Sequence, residues 1–221
     1  STRALGQPRL TKPTRGELTG IRPFYRMSEQ FDRAYYQRFY VNPRTAVTNR
    51  AEMNARGRLI AAMADHIGLP VRSILDAGCG VGLLRAPLKK ALPKASYTGL
   101  EVSQYLCQKH GWIHSGIQDF SRKAVFDLVI CYDVLQYLKA AETQRALANL
   151  ARVCRGLLYF GVLTREDWEE NCDQTRTDPA VSLRGGAWYR RELKKNFRHL
   201  GAGFWLRHDC PLTVWEMDTA G

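Results

Sequence analysis

The sequence predicts an α/β fold of the doubly wound kind, and two observations carry that prediction. From residue 68 onward, strand-like apolar runs alternate with helix-like ones, the order that parallel strands joined by crossover helices produce. The first run, Ser73-Ile74-Leu75-Asp76-Ala77, passes straight into Gly78-Cys79-Gly80-Val81-Gly82, and Leu83-Leu84 then opens a helix-like stretch. Glycines at alternate positions let the backbone turn sharply and let a ligand approach that any Cβ would push away. The helix that follows begins with unpaired N–H groups facing the same space. Strand, glycine turn and helix in that order make a cradle for a nucleoside-containing cofactor.

The elements follow in order. Residues 1–20 read as a flexible basic tail, broken by Pro8, Pro13 and Gly16. Residues 24–40 hold a cluster of aromatics and read as helix or helix–turn, while 45–67 carry Met53, Leu59, Ile60, Met63 and Ile67 at helical spacing. Gly68-Leu69-Pro70 ends that helix. Strand one is 73–77, with a helix at 82–92 stopped by Pro93; strand two is 96–102, with a helix at 103–110 stopped by Gly111. Strand three is 112–117, strand four 126–132, a helix covers 141–153, and strand five is 156–163. A polar stretch of about 22 residues follows, too long for an ordinary connection and therefore functional or mobile. A helix at 188–200 leads to two closing strands, 203–209 and 212–217, with Pro211 marking the turn between them.

Composition narrows the function classes. A chain of 221 residues is one domain's worth and buries a core without staples. Hydrophobic residues make up 45% yet never form the long apolar run that a membrane span needs, and no basic-then-apolar leader opens the chain. The six cysteines are scattered and form no C-x-x-C pair, which suits a reducing cytoplasm and argues against a metal site. The net charge is +12, and residues 1–60 hold 12 Arg or Lys against 4 Asp or Glu. A basic N-terminal arm is a nucleic-acid signal, so an RNA substrate stands as an alternative to a small molecule.

The spacing of the glycines selects the cofactor. The dinucleotide fingerprint G-x-G-x-x-G would place its third glycine where Leu83 stands. The arrangement Asp76-x-Gly78-x-Gly80-x-Gly82 instead resembles the first motif of class I S-adenosylmethionine-dependent methyltransferases, small-molecule type. Two further stretches extend the resemblance across residues 73–138: Ser96 to Ser103, a strand ending in Glu101, and Phe126-Asp127-Leu128-Val129-Ile130-Cys131-Tyr132-Asp133-Val134-Leu135-Gln136-Tyr137-Leu138. The resemblance implies a mostly parallel seven-stranded sheet with an antiparallel C-terminal hairpin and helices on both faces. It implies a single domain over 21–221 with a helical lid at 21–67, S-adenosylmethionine as cofactor, and methyl transfer to an oxygen or nitrogen of a small metabolite. A catalytically silent relative that binds the cofactor and regulates a partner is the remaining alternative.

Residue roles follow from the same resemblance. Gly78, Cys79, Gly80 and Gly82 let the backbone approach the methionine portion, Asp76 anchors its ammonium, and Glu101 with Val102 takes the ribose. Around adenine two alignments stay open: Ile117 supplies a backbone contact with Gly116 in place of the usual acid, or Asp119 is that acid, with Gln118 nearby. Tyr132, Asp133 and Gln136 follow strand four, where the acceptor enters. Asp133 is the candidate catalytic residue, its competing role being a helix N-cap. Tyr36 and Tyr40 form one wall of the expected acceptor pocket and Trp168 and Arg176 the other, with Tyr132 and Gln136 as the floor. His114, His199 and His208 read as structural.

Overall fold

The apolar runs of the sequence form one sheet. In the computed structural model, which describes residues 30–220, β1 (Ser73–Ala77), β2 (Ser96–Glu101), β3 (Ile113–His114), β4 (Phe126–Tyr132) and β5 (Cys154–Gly161) run parallel. A hairpin of β6 (Phe197–Gly201) and β7 (Phe204–Arg207) joins antiparallel to β5, giving the order β3-β2-β1-β4-β5-β7-β6. The basic tail expected at 1–20 lies outside the described residues, as do Phe24 and Tyr25 of the aromatic segment.

Alternation along each strand sends its side chains into two separate cores. Ile74, Leu128, Ile130, Leu157 and Tyr159 face one side, with Met53, Ile60 and Ala64 of α2 (Arg50–His66) and Leu88 of α3 (Arg85–Ala91). Leu75, Ala77, Val129, Cys131, Leu158 and Phe160 face the other, against α5 (Ala140–Val153) and α7 (Gly186–Leu193). Burial on both faces is why these strands read as continuous apolar runs. Asp127 is the polar staple between them: its carboxylate accepts from the Arg72 and Ser73 amides and from Arg155 Nε at 2.7 Å. Those bonds hold its carboxyl below the usual range against the cost of burial.

Helix ends follow local chemistry. Asn49 caps α2 by accepting from the Glu52 amide, and Ser103 caps α4 (Gln104–His110), which Gly111 ends in a left-handed conformation. Before α2, Asp32 caps the short α1 (Arg33–Tyr36), which continues as one π-helical turn, Gln37–Val41.

The C-terminal pairing departs from expectation. The helix expected at 188–200 stops at Leu193, the closing strands are Phe197–Gly201 and Phe204–Arg207, and 212–217 forms no strand. Leu193, Phe197 and Leu200 sit at helical spacing, so the apolar pattern suits both structures. The left-handed run Gly201, Ala202, Gly203 (φ 84°, 46° and 85°) makes the turn that Pro211 was expected to mark. Strand three is likewise shorter than 112–117, because Gly116 starts a 3-10 turn over Ile117–Asp119.

The chain runs from β1 to β2 on one side and to β4 on the other, so the loops after these strands part at β1. A crevice at the carboxyl ends of the strands opens where the order reverses. The glycine turn sits there.

Candidate functional site

Gly78, Gly80 and Gly82 all hold left-handed backbone, with φ of 79°, 52° and 76°. At Gly78 an added Cβ would lie 2.3 Å from Val134 Cγ2, so the turn is pressed against the segment that follows β4. Gly78→Ala is therefore expected to destabilise the protein by about 2–4 kcal/mol, from left-handed strain plus overpacking, read as a loss of Tm. Unchanged stability would show that the turn is not packed this way. Beside Gly80 the space is open: the nearest atom to an added Cβ is Tyr36 Cε1 at 3.8 Å.

Glu101 organises this turn. Its Oε2 accepts the Gly80 amide at 2.8 Å, and its Oε1 accepts the Val102 and Ser103 amides at 2.8 and 2.9 Å and the Tyr36 hydroxyl at 3.2 Å. Burial raises its pKa, and these donors oppose the rise. Asp76, one strand over, accepts from the Tyr97 hydroxyl. Burial pushes the Asp76 carboxyl up to about 7, with Glu101 adding repulsion, and it makes no ion pair among the described residues. Two buried acids side by side, with no cation between them, fit a positively charged ligand.

Two cavities meet here. The larger, about 580 Å³, is bordered by Asp76, Gly78, Cys79 and Gly80 at one end and by Tyr132, Asp133 and Gln136 further in. Its size is that of a small-molecule site. The smaller, about 60 Å³, is bordered by Glu101, Val102, Ile117 and Gln118 and closed over by Phe31, Tyr35 and Tyr36. Tyr40 borders both.

Several expected site residues take other positions. Asp119 points to solvent and pairs with Arg145 at 3.7 Å, whereas Gln118 is buried against the smaller cavity; the geometry favours Gln118 of the two. Gly82 borders neither cavity, its would-be Cβ pressed on Trp112. Trp168 sits within α6 (Arg165–Glu170) and borders neither cavity; Asp167, Asn171 and Asp178 of the same loop form that wall instead. Arg176 does border the larger cavity and donates to the Ala46 carbonyl, tying the loop after β5 to the segment before α2. Tyr36 is buried with its hydroxyl on Glu101 rather than facing the larger cavity.

Asp133 sits where the β4 strand ends, in left-handed backbone at φ 57°. Its carboxyl is enclosed by the cavity walls yet open to the cavity interior. Enclosure raises its pKa to about 6; the Arg56 charge and the nearby Gln136 amide oppose the rise, and Asp167 adds to it. A carboxylate poised there can take a proton near neutral pH. Arg56 was missed in the sequence. Its guanidinium lies 3.8 Å over the Tyr132 ring and donates to the Tyr159 hydroxyl at 2.6 Å. The signal was present: Arg56 falls three residues after Met53 and four before Ile60, a cation on the apolar stripe of its helix.

His199 stacks on Trp205 at 4.2 Å and His208 meets the Lys194 carbonyl, both away from the cavities. Among the described residues no helix is long and apolar enough to cross a membrane, and no group of three His, Cys, Asp or Glu is arranged to hold a metal.

Residues 75–156 match the model of a family described as a methyltransferase domain. Over 126 residues the chain is 26% identical to the malonyl-acyl-carrier-protein O-methyltransferase of Anoxybacillus flavithermus, covering 53% of this chain and 49% of that one. Over 90 residues it is 31% identical to the ubiquinone biosynthesis O-methyltransferase of Rickettsia prowazekii, covering 36% of this chain and 34% of that one. The chain thus spans about half the length of the first of these curated relatives and a third of the second. Magnesium protoporphyrin IX methyltransferase of Synechocystis PCC 6803, crystallised with bound S-adenosylmethionine, superposes with a TM-score of 0.60 at 17% identity, covering 86% of this chain and 99% of that one. The fold is that of the class I methyltransferases.

Proposed function

We propose that this chain, which carries a methyltransferase domain at residues 75–156 on the class I fold, transfers a methyl group from S-adenosylmethionine to a small-molecule acceptor. The observation that carries this reading is the glycine turn itself: Gly80 stands open at its Cα, its amide is held on Glu101, and the uncompensated acid Asp76 lies alongside. The residues fit the group. Asp76 would receive the ligand's ammonium, Glu101 the ribose hydroxyls with Val102 beside them, and Ile117 and Gln118 the adenine. Gly78, Cys79, Gly80 and Tyr132 would border the methionine portion.

The cofactor supplies a methyl carbon already activated by positive sulfur, so the protein's work is positioning and exclusion of water. Glu101 already accepts four hydrogen bonds, and the space beside it is small. Entry of a nucleoside therefore requires the Tyr36 hydroxyl and the ring cluster of Phe31, Tyr35 and Tyr36 to move aside. We read the aromatic segment of the N-terminal region as a lid on this ground. Within the larger cavity Asp133 acts as proton acceptor, and Tyr40, Gln136 and Arg176 line the acceptor's path.

S-adenosylhomocysteine is expected to raise Tm. At a hundredfold excess over Kd a ligand adds about 2.7 kcal/mol, or roughly 5–10 °C for a domain of this size. Differential scanning fluorimetry checks this, and no shift at millimolar ligand would remove the cofactor reading. An RNA acceptor is the less supported reading, because the described cavity is walled by Glu52, Asp167, Asp173 and Asp178, which repel phosphate. The six cysteines are all unpaired, in keeping with a cytoplasmic setting.

A further inference from the structure

Two buried side-chain polar atoms lack a hydrogen-bond partner among the described residues, Arg56 Nε and Gln136 Oε1, and both residues border the larger cavity beside Asp133. Arg56 is committed to the wall by its stacking on Tyr132 and its bond to Tyr159. Gln136 is different. It is 4% exposed, and its side-chain amide lies beside the Asp133 carboxyl, whose pKa it holds down, an influence only the Nε2 end exerts because only N–H donates. The oxygen that remains has no donor among the described residues, a state a folded protein tolerates where a ligand supplies the donor.

Gln136 Oε1 and the Asp133 carboxylate therefore offer two acceptors close together. A hydroxyl carries one hydrogen and satisfies one of them. A carboxylate carries none and is repelled by Asp133. A primary amine carries enough N–H groups for both. The charge of the wall agrees: Asp167, Asp173 and Asp178 border the same cavity, and its other arginine, Arg176, spends a donor on the Ala46 carbonyl.

We propose that Gln136 and Asp133 form a two-point cradle for nitrogen, so that the methyl acceptor is a primary amine. This rests on the S-adenosylmethionine reading above. The bound ammonium gives one proton to the Asp133 carboxylate, and the freed nitrogen lone pair attacks the methyl carbon. The N–C bond forms as the C–S bond breaks, its electron pair passing to sulfur and leaving the neutral thioether. The product departs as a secondary ammonium, and Asp133 returns its proton to solvent.

Sinefungin, in which a carbon bearing an ammonium replaces the methylsulfonium, supplies N–H donors where the nitrogen acceptor would otherwise approach. In calorimetric titration of the full chain it is expected to bind at least about tenfold tighter than S-adenosylhomocysteine, the effect of one added hydrogen bond involving a charged group. In Gln136→Leu that advantage should fall below about threefold. No advantage in the parent, or an undiminished one in a Gln136→Leu protein that still melts cooperatively, overturns the amine cradle and leaves the cofactor reading standing. Failure of both ligands to bind the parent overturns both. Where Gln136→Leu does not fold, Gln136→Asn, too short to reach the same position, carries the same comparison.

Discussion

Asp133→Asn is expected to lower kcat by about 10²- to 10⁴-fold, the range by which a positioned general base contributes. The exchange is close to isosteric, and Asn tolerates the left-handed backbone that Asp133 holds at φ 57°, so the fold has no reason to change. What is lost is the proton acceptor. The parent should show the titration of that group: turnover climbs as pH rises through about 6, where the Asp133 carboxyl loses its proton, and levels above it. The sign follows from the role, since only the carboxylate can accept a proton. Enclosure raises this pKa while Arg56 and Gln136 hold it down and Asp167 lifts it, so removing the Arg56 charge should move the limb to higher pH. A steady-state pH–rate profile measures both. An Asp133→Asn enzyme with parental kcat would leave Asp133 a structural residue only.

Glu101→Ala is expected to weaken S-adenosylhomocysteine binding by about 3 kcal/mol, or roughly 10²-fold, in calorimetry. Two losses combine. The proposed acceptor for the ribose goes, and the amides of Gly80, Val102 and Ser103 lose the carboxylate that fixes them. Glu101→Gln separates the two: it keeps the volume and an acceptor oxygen but loses charge and one acceptor site, so an intermediate loss of roughly tenfold is expected. Parental affinity in Glu101→Ala would take Glu101 out of the cofactor site.

The legible part of this fold was set by local rules. The succession of strands and the glycine turn could be read because β1, β4 and β5 bury both faces and so appear as apolar runs, each bounded by a turn signal. Helix ends were legible at Gly111 for the same reason, a residue suited to a left-handed stop. The hairpin was misplaced because Leu193, Phe197 and Leu200 satisfy a helical period and a strand's burial alike. Nothing local breaks that tie; pairing of Trp205 and Phe204 with Leu158 and Tyr159 of β5 does.

The sequence by itself determined where the residues proposed for the cofactor come together. Asp76, Gly78, Gly80 and Glu101 fall at strand ends, and parallel strands in register bring their ends together whatever the rest of the chain does. The acceptor side was decided by tertiary structure. Trp168 was expected in the wall because its loop follows strand five at the carboxyl edge of the sheet, yet the residues of that loop bordering the cavity include Asp167 and Asn171 and not Trp168. Arg56 enters from a helix some 77 residues before Asp133, and packing leaves the Gln136 Oε1 atom without a partner among the described residues. Such groups are assembled from distant segments by packing, and packing has no period for a sequence to display.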